Sequence, residues 1–442
     1  MKYDVIVCGA GSSGMVAAIS ASRQGLKTLL VEKSATVGGT NVNSLVGPFM
    51  TFHAGDKQIV NGIAQEIVDR LKKENACLGH IADPIGFCST ITPFEPENLK
   101  NLYFEYLDEE NIDLLLNATV VKSNVDNNKI SSIEVVSKTT TYTFEADIFI
   151  DATGDADLSY LSGVDFTMGR TEDNLCQPMS LMLIMKNVDM NKIRDYINKY
   201  PEDFELDKTY TGEYVACSGF FSKVKEAQKN NEFNISRDRV LMFEHTQKDE
   251  ALINMTRVTM FNGCDPLQLS KAEIAVRKQI KPIVHFLKKY IPGFENSYLK
   301  VSANQIGVRE SRHIKGLYTL QESDIVNRTK FEDSICLGAF PIDIHSPTGT
   351  EMKFVHLPKD NNYQIPYRTL ITEKVDNLLV CGRCISATHE AAASLRVTPT
   401  VMAMGEACGV AAKLALNSNN NVKNINIKEL QDILVKQNQI IE

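Results

Sequence analysis

This 442-residue chain lacks several features, and each absence removes a class of protein. No apolar stretch approaches the length of a membrane span, so insertion in a bilayer is not expected. Positive charge is in deficit: 47 Lys and Arg face 55 Asp and Glu, a formal net charge of −8 at pH 7. Phosphate backbones are gripped by basic surfaces, so nucleic acid is not expected as the main partner. The ten cysteines are scattered without a disulfide-like framework, which points to a reducing, cytoplasmic home. They also lack the close spacing of iron–sulfur ligands, and no metal is expected. Internal repeats and long low-complexity tracts are absent, and residues 417–421 form only a short polar linker. The first strand pattern starts at Tyr3, which leaves no room for a removable leader. What remains is an ordinary globular composition, 43% hydrophobic and 23% charged, with length for two or three domains.

The opening residues carry the strongest pattern. A short apolar run through Val5, Ile6 and Val7 ends in Gly9-Ala10-Gly11-Ser12-Ser13-Gly14 and passes directly into a helical pattern. Glu32 follows eighteen residues after Gly14, at the end of a second apolar run, Thr28 to Val31. In such a unit Gly9 permits the tight turn, Gly11 lets backbone approach a pyrophosphate, and Gly14 lets helix and strand pack closely. The diphosphate would sit at a helix N-terminus, where free N–H groups and the positive dipole end meet its charge. A carboxylate at the tip of the next strand would accept a hydrogen bond from a ribose hydroxyl. Framed by strand, helix and a correctly spaced Glu, the motif predicts a bound dinucleotide.

Further along, residues 56–73 read as an amphipathic helix, with Ile59, Ile63, Ile67 and Leu71 four apart. Residues 99–110 suggest another. Short strands follow at 113–121, 129–137 and 141–144, then a continuous apolar run, Ile148-Phe149-Ile150, leads into Asp151-Ala152-Thr153-Gly154-Asp155, as a buried parallel strand should. From about Thr167 to Ser302 strand-like runs alternate with polar helices, among them a long helix predicted over 270–290, ahead of Pro292-Gly293. Residues 377–382 form a buried strand meeting a glycine turn. Thr398 and Pro399 then open a helix, as N-cap and first helical residue. Its Gly405, Gly409 and alanines make a smooth face suited to packing against a sheet.

Gly-x-Gly-x-x-Gly fits both NAD and FAD, so the other motifs must decide. Glu32-Lys33 followed by Gly38-Gly39-Thr40 supplies paired glycines where a flavin running through the core needs close backbone approach. The Asp151–Asp155 segment and the Gly382 turn with its following helix are placed to meet a large ligand's far end. Together these residues resemble the FAD-binding proteins of the glutathione-reductase structural superfamily. Residues 306–312 (Ile-Gly-Val-Arg-Glu-Ser-Arg), 343–345 (Asp-Ile-His), 365–367 (Ile-Pro-Tyr), 381–386 (Cys-Gly-Arg-Cys-Ile-Ser) and Arg396 to Thr400 narrow this to FAD-dependent oxidoreductases loosely akin to fumarate reductase and succinate dehydrogenase flavoproteins. The resemblance implies an α/β fold: a Rossmann-like FAD-binding domain with a parallel sheet, in residues 1–166 and 303–442, and a mixed α+β substrate or cap domain in 167–302. It implies that Gly9, Gly11, Ser13, Gly14, Glu32 and Lys33 hold the ADP half, with Val120 or Val121 touching adenine through backbone. Gly38, Gly39, Thr40, Ala152, Gly154 and Asp155 would follow the diphosphate and ribityl chain, and Gly382, Arg383 and Thr398 would lie near the isoalloxazine. The dipole of the helix at Pro399, roughly half a charge, would face the flavin pyrimidine.

A flavin carries its own redox chemistry, so protein groups supply position, charge and a proton. Arg396 either clamps an anionic substrate or flavin carbonyl, or bonds backbone at a turn. Arg309, Glu310 and Arg312 form a charged cluster in which Glu310 reads as an internal ion pair, and Arg309 as a substrate contact. Asp343 and His345 alternate on one strand face, so the carboxylate would orient the imidazole and raise its basicity. His389 shares the claim by its nearness to the Gly382 turn; His313 reads as a surface histidine. Cys381 and Cys384 read as core residues, not a redox dithiol. No second Gly-x-Gly-x-x-Gly follows a strand, so no dedicated NAD(P)H domain is expected. The expected activity is hydride transfer between flavin and a small, carboxylate-bearing substrate, with a flavin hydroxylase or an electron-relay subunit as alternatives and an electron-acceptor protein as a conceivable partner.

Overall fold

The computed structural model describes residues 1–349, 352–355 and 357–442. Five parallel strands stand side by side in the order Asp113–Leu115, Thr28–Val31, Lys2–Cys8, Thr140–Asp151 and Leu378–Val380. Their carboxyl ends share one edge, the edge at which ligands bind in open α/β sheets. The strand Thr140–Asp151 is a single element where two pieces were expected. Its first residues pair antiparallel with Lys129–Ser137, and from Glu145 it pairs in parallel with Lys2–Cys8. The outer half is exposed and the inner half buried, so only the inner half carries the apolar signature.

The helix Ser12–Arg23 lies across this sheet, and the late helix Thr398–Leu416 packs on that helix more closely than on the sheet for which it was expected. A Cβ at Gly405 would stand 2.2 Å from the Ser13 carbonyl oxygen, and one at Gly409 would stand 2.4 Å from the Ser20 Cβ. Ser20 Oγ also donates to the Glu406 carbonyl at 2.8 Å.

A second, six-stranded sheet draws every strand from residues 183–302, in the order Phe204–Glu205, Ala216–Gly219, Val240–Glu244, Glu250–Ile253, Leu183–Lys186, Tyr298–Ser302, all antiparallel. Alternation sorts its residues. Leu183, Met185, Val240 and Met242 join a core with Ile193, Val224 and Phe286 of the covering helices, whereas Met182, Ile184, Leu241 and Phe243 belong to the opposite side.

Three helix boundaries differ from expectation. The first amphipathic helix spans only Ile63–Lys73, because Lys57–Gln58 pairs with His53–Ala54 in a small hairpin and Gly62 has φ = +67°. The second begins at Pro96, which needs no N–H in a first turn. The helix expected over 270–290 is two, Pro266–Arg277 and Ile280–Tyr290. At the break the Gln279 side chain bonds both backbone groups of Arg257, at 2.8 and 2.7 Å. Among the described residues no helix is long and apolar enough to cross a membrane, and no acidic, His and Cys cluster could hold a metal ion.

Candidate active site

A continuous cleft of about 420 Å³ runs from the glycine turn, past the carboxyl edge of the parallel sheet, to the cleft side of the antiparallel sheet. The three glycines of the opening motif divide their work as their spacing implies. Gly9 has φ = +100°, and a Cβ there would stand 2.4 Å from the Ala152 carbonyl oxygen. At Gly14 a Cβ would fall 1.8 Å from the Gly9 oxygen, so helix and strand touch there. Gly11 differs: it lines the cleft, and its nearest neighbour to an added Cβ is the Gly39 Cα at 3.9 Å. The space above Gly11 is therefore open. The helix that follows has no side-chain cap on its first amides. Glu32 is buried at the strand tip, accepting from Ala10 N–H at 2.6 Å and Ser34 N–H at 2.7 Å. Its oxygens keep lone pairs for a further donor.

Gly39 and Thr40 line the cleft opposite Gly11; Gly38 stands behind, its N–H on the Ala10 carbonyl at 2.7 Å. Ser12 donates to Asn41 at 2.7 Å, and Asn41 Nδ2 donates to the Thr398 hydroxyl at 3.1 Å, so both helix N-termini are tied together at the cleft. Thr398 is thus not the N-cap: Val397 is, and Thr398 and Pro399 occupy the first two helical positions. The Thr398 hydroxyl is used on Asn41 instead of its own helix. Further along, Asp155 holds Arg383 and accepts from Ser311 at 2.8 Å, with Lys33 at 3.5 Å. Burial opposes its charge, but Arg383 and Lys33 outweigh burial and hold Asp155 below the usual carboxylate range. Ala152, Gly154, Gly382 and Ser13 line the same stretch.

At the far end Arg237, Arg309 and Arg396 meet Asp343 and His345. His345 Nε2 lies 3.0 Å from Asp343 Oδ2, and Arg396 Nη2 lies 3.8 Å from the same oxygen. Burial alone would raise Asp343, but His345, Arg396 and Arg309 outweigh it and keep the carboxyl ionised. The strand Ile342–His345 sets both groups on one face, as alternation implies. The expected gain in basicity is overturned: burial, helped by Arg309 and Arg396, outweighs Asp343 and pushes His345 down to about 4. The imidazole is neutral at pH 7. Its Nε2–H must donate to the ionised Asp343, which leaves the Nδ1 lone pair free to accept.

Two histidine expectations fail. His389 is buried outside the cleft lining, with Nδ1 2.8 Å from Glu310. His313, expected at the surface, is also buried, 3.6 Å from the same carboxylate. Burial disfavours the Glu310 charge, yet the two imidazoles outweigh it and bring the group down to about 2. Glu310 also accepts from the Gln177 N–H at 2.9 Å, so the cluster braces the segment before residue 183 against the Arg309 segment. Its two neighbouring arginines bond elsewhere: Arg309 donates to the Pro178 carbonyl at 2.6 Å and Arg312 to Asp157 at 2.9 Å. Cys381 and Cys384 are fully buried; a hydrogen bond with Cys408 and burial raise the Cys381 thiol, and burial raises that of Cys384, far above the ordinary value.

Comparison with known proteins decides the family. The model of the family described as FAD dependent oxidoreductase matches residues 4–434. The chain belongs to that family. A 43-residue stretch, 10% of this chain and 8% of the relative, is 51% identical to the 3-oxosteroid 1-dehydrogenase of Mycolicibacterium smegmatis. A 41-residue stretch, 9% of each chain, is 56% identical to the dihydrolipoyl dehydrogenase of Trypanosoma brucei brucei. Such short matches carry no whole-protein activity. The p-nitrophenol 4-monooxygenase of Pseudomonas putida superposes with a TM-score of 0.50 at 10% identity, covering 98% of this chain and 84% of that one, a likeness of fold alone.

The residues fit FAD. The open space over Gly11 is a cradle that a Cβ would fill, and Arg383 Nε and Arg396 Nε are buried donors without partners along the cleft. Gly9, Gly11, Ser13, Glu32, Lys33, Gly39, Thr40, Ala152, Gly154, Asp155, Gly382, Arg383 and Thr398 all border the channel of this FAD-dependent oxidoreductase. Gly14 and Gly38 shape its wall from behind. Val121 does not border it: its side chain is 44% exposed on the outer meander, and its neighbour Val120 packs inward. Sequence reasoning missed Arg237, which donates to the carbonyls of Met255 and Asn254 at 3.1 Å each. No local pattern marks it, because it lies in the loop ahead of the strand Val240–Glu244 and only the fold brings that loop to the cleft. Arg257 holds the carbonyls of Ser346 and Gly349 at 2.7 and 2.8 Å, and so supports the turn after His345.

Proposed function

We propose that this enzyme transfers a hydride between FAD and a small organic substrate bearing a carboxylate. One observation carries the reading: Arg237, Arg309 and Arg396 converge on a cleft end where Asp343 is the carboxylate they share. Bound FAD supplies the two-electron redox chemistry. Guanidinium groups bind carboxylates through two parallel N–H bonds, which fixes the acid in plane and orients the carbon beside it. Burial strengthens that grip by excluding water. His345 Nδ1, held in register by the Nε2–H bond to Asp343, is the position at which a proton would be taken or returned. The Thr398–Leu416 helix directs its positive end into the cleft, where it would favour negative charge on the ring of FAD. The ten free cysteines accord with a cytoplasmic setting.

Anaerobic titration of the purified holoenzyme with small carboxylic acids tests this. Bleaching of the flavin band by an acid is expected, and Arg309→Gln should raise the half-saturating concentration by about tenfold or more. Reduction by neutral molecules alone, or an unchanged Arg309→Gln variant, overturns it. Oxygen uptake with NADPH consumption would instead support a hydroxylase, and a flavin that no small molecule reduces would support a relay subunit that needs a partner protein.

A further inference from the structure

We propose that the site takes an amphipathic dianion, a substrate with two acidic groups at one end and a rigid apolar body of aromatic size at the other. This rests on the acid-substrate reading above and narrows it.

Charge supplies the first half. Arg237, Arg309 and Arg396 line the far end of the cleft, where Asp343 attracts all three, while Glu310 also attracts Arg396 and Asp238 attracts Arg237. Arg257 adds a further positive charge, held on the Ser346 and Gly349 carbonyls, whereas two other charged groups of the lining are matched. Arg239 is held by Glu205 at 2.6 Å and Asp238 at 2.9 Å, and Glu273 by Arg277 at 2.7 Å. The hydrogen-bond partners of the three arginines are neutral: the Pro178, Met255 and Asn254 carbonyls and the Gln177 and Asn254 side-chain oxygens. Carbonyls orient a guanidinium without cancelling its charge. Among the described residues the end therefore keeps an excess of positive charge. Burial and the neighbouring arginines press on the same groups, bringing Arg309 to about 9 and Arg237 to about 10. Two carboxylates would relieve more of that excess than one.

The wall beside the arginines supplies the second half. Leu241 and Phe243 project into the cleft from the strand Val240–Glu244, with Met182 near them. Phe340, Phe87 and Phe354 also line it, the last two with ring centroids 5.9 Å apart and tilted by 43°. A four-carbon diacid would satisfy the arginines and leave this wall in water. A phenyl-sized body covering about 100 Å² of it should tighten binding at least about tenfold.

The holoenzyme is titrated anaerobically with phenylsuccinate, succinate and 3-phenylpropionate, and perturbation of the flavin absorption band is followed. Phenylsuccinate is expected to bind at least about tenfold tighter than either. Phe243→Ala should weaken phenylsuccinate and spare succinate; Arg237→Gln should close the gap between phenylsuccinate and 3-phenylpropionate. Succinate or 3-phenylpropionate binding as tightly as phenylsuccinate overturns the inference while leaving the acid-substrate reading intact. Failure of all three acids to bind, with the flavin in place and reducible by dithionite, removes both.

Discussion

Gly11→Ala separates cofactor binding from folding at a single methyl group. Gly11 has φ = −72° and ψ = −179°, extended backbone that alanine adopts without strain. Its Cβ would meet no protein atom closer than 3.9 Å. The apoprotein should therefore unfold at the same temperature or slightly higher, since replacing Gly by Ala at a compatible site stabilises by about 0.4–1 kcal/mol through the unfolded chain. The methyl group would instead stand where the diphosphate must approach backbone. Forcing an extra methyl into a filled contact costs about 1–3 kcal/mol, roughly a 5- to 150-fold loss of FAD affinity. Gly14→Ala is the control: its Cβ would fall 1.8 Å from a carbonyl oxygen, so that variant should lose stability. Thermal unfolding of the apoproteins and fluorescence titration with FAD measure both effects. Wild-type FAD affinity in Gly11→Ala would show that the dinucleotide does not cross this turn. A lowered unfolding temperature would show that the crevice is already filled by protein.

Glu32→Ala should cost flavin retention and about 1.5–3 kcal/mol of stability, because the buried Ala10 and Ser34 amides lose a charged acceptor; full flavin content after gel filtration would count against the assignment. His345→Gln should keep FAD and lose turnover, and since the wild-type imidazole lies at about 4, the wild-type rate should show no limb from this group between pH 6 and 8. Glu406 is pushed up by burial from 4.5 to about 7, so its proton favours the folded state. That contribution is complete below pH 4.5 and is lost as pH rises through 7, so Glu406→Gln should gain on wild type by on the order of 3 kcal/mol between pH 4.5 and 8. Denaturant midpoints at the two pH values read this directly, and a pH-independent difference refutes it. Cys384→Ala should leave turnover unchanged, and mass spectrometry should find Cys381 and Cys384 unalkylated in the native protein, since both thiols are buried.

The dinucleotide half of the site was legible in the sequence, because a glycine turn between strand and helix is local geometry. The conformation of Gly9, the contact of Gly14 with Gly9 and the position of Glu32 follow from about thirty consecutive residues. The pairing of Asp343 with His345 was legible for the same reason, as neighbours two apart on a strand. The rest depended on chain segments far apart. Only the fold could lower His345, since burial and two distant arginines outweigh an adjacent carboxylate. Setting His389 against Glu310 likewise required the helix His389–Leu395 to close on residues nearly eighty positions earlier. Arg237 reached the cleft from the loop ahead of the strand Val240–Glu244, by a fold that no local periodicity announces. Sequence alone determined the glycine turn and the strand-tip carboxylate at the dinucleotide end of the cleft, because short-range sterics set that. The charge and walls that meet a substrate were decided by tertiary structure, because field and solvent exclusion sum over the whole surroundings and not over the chain.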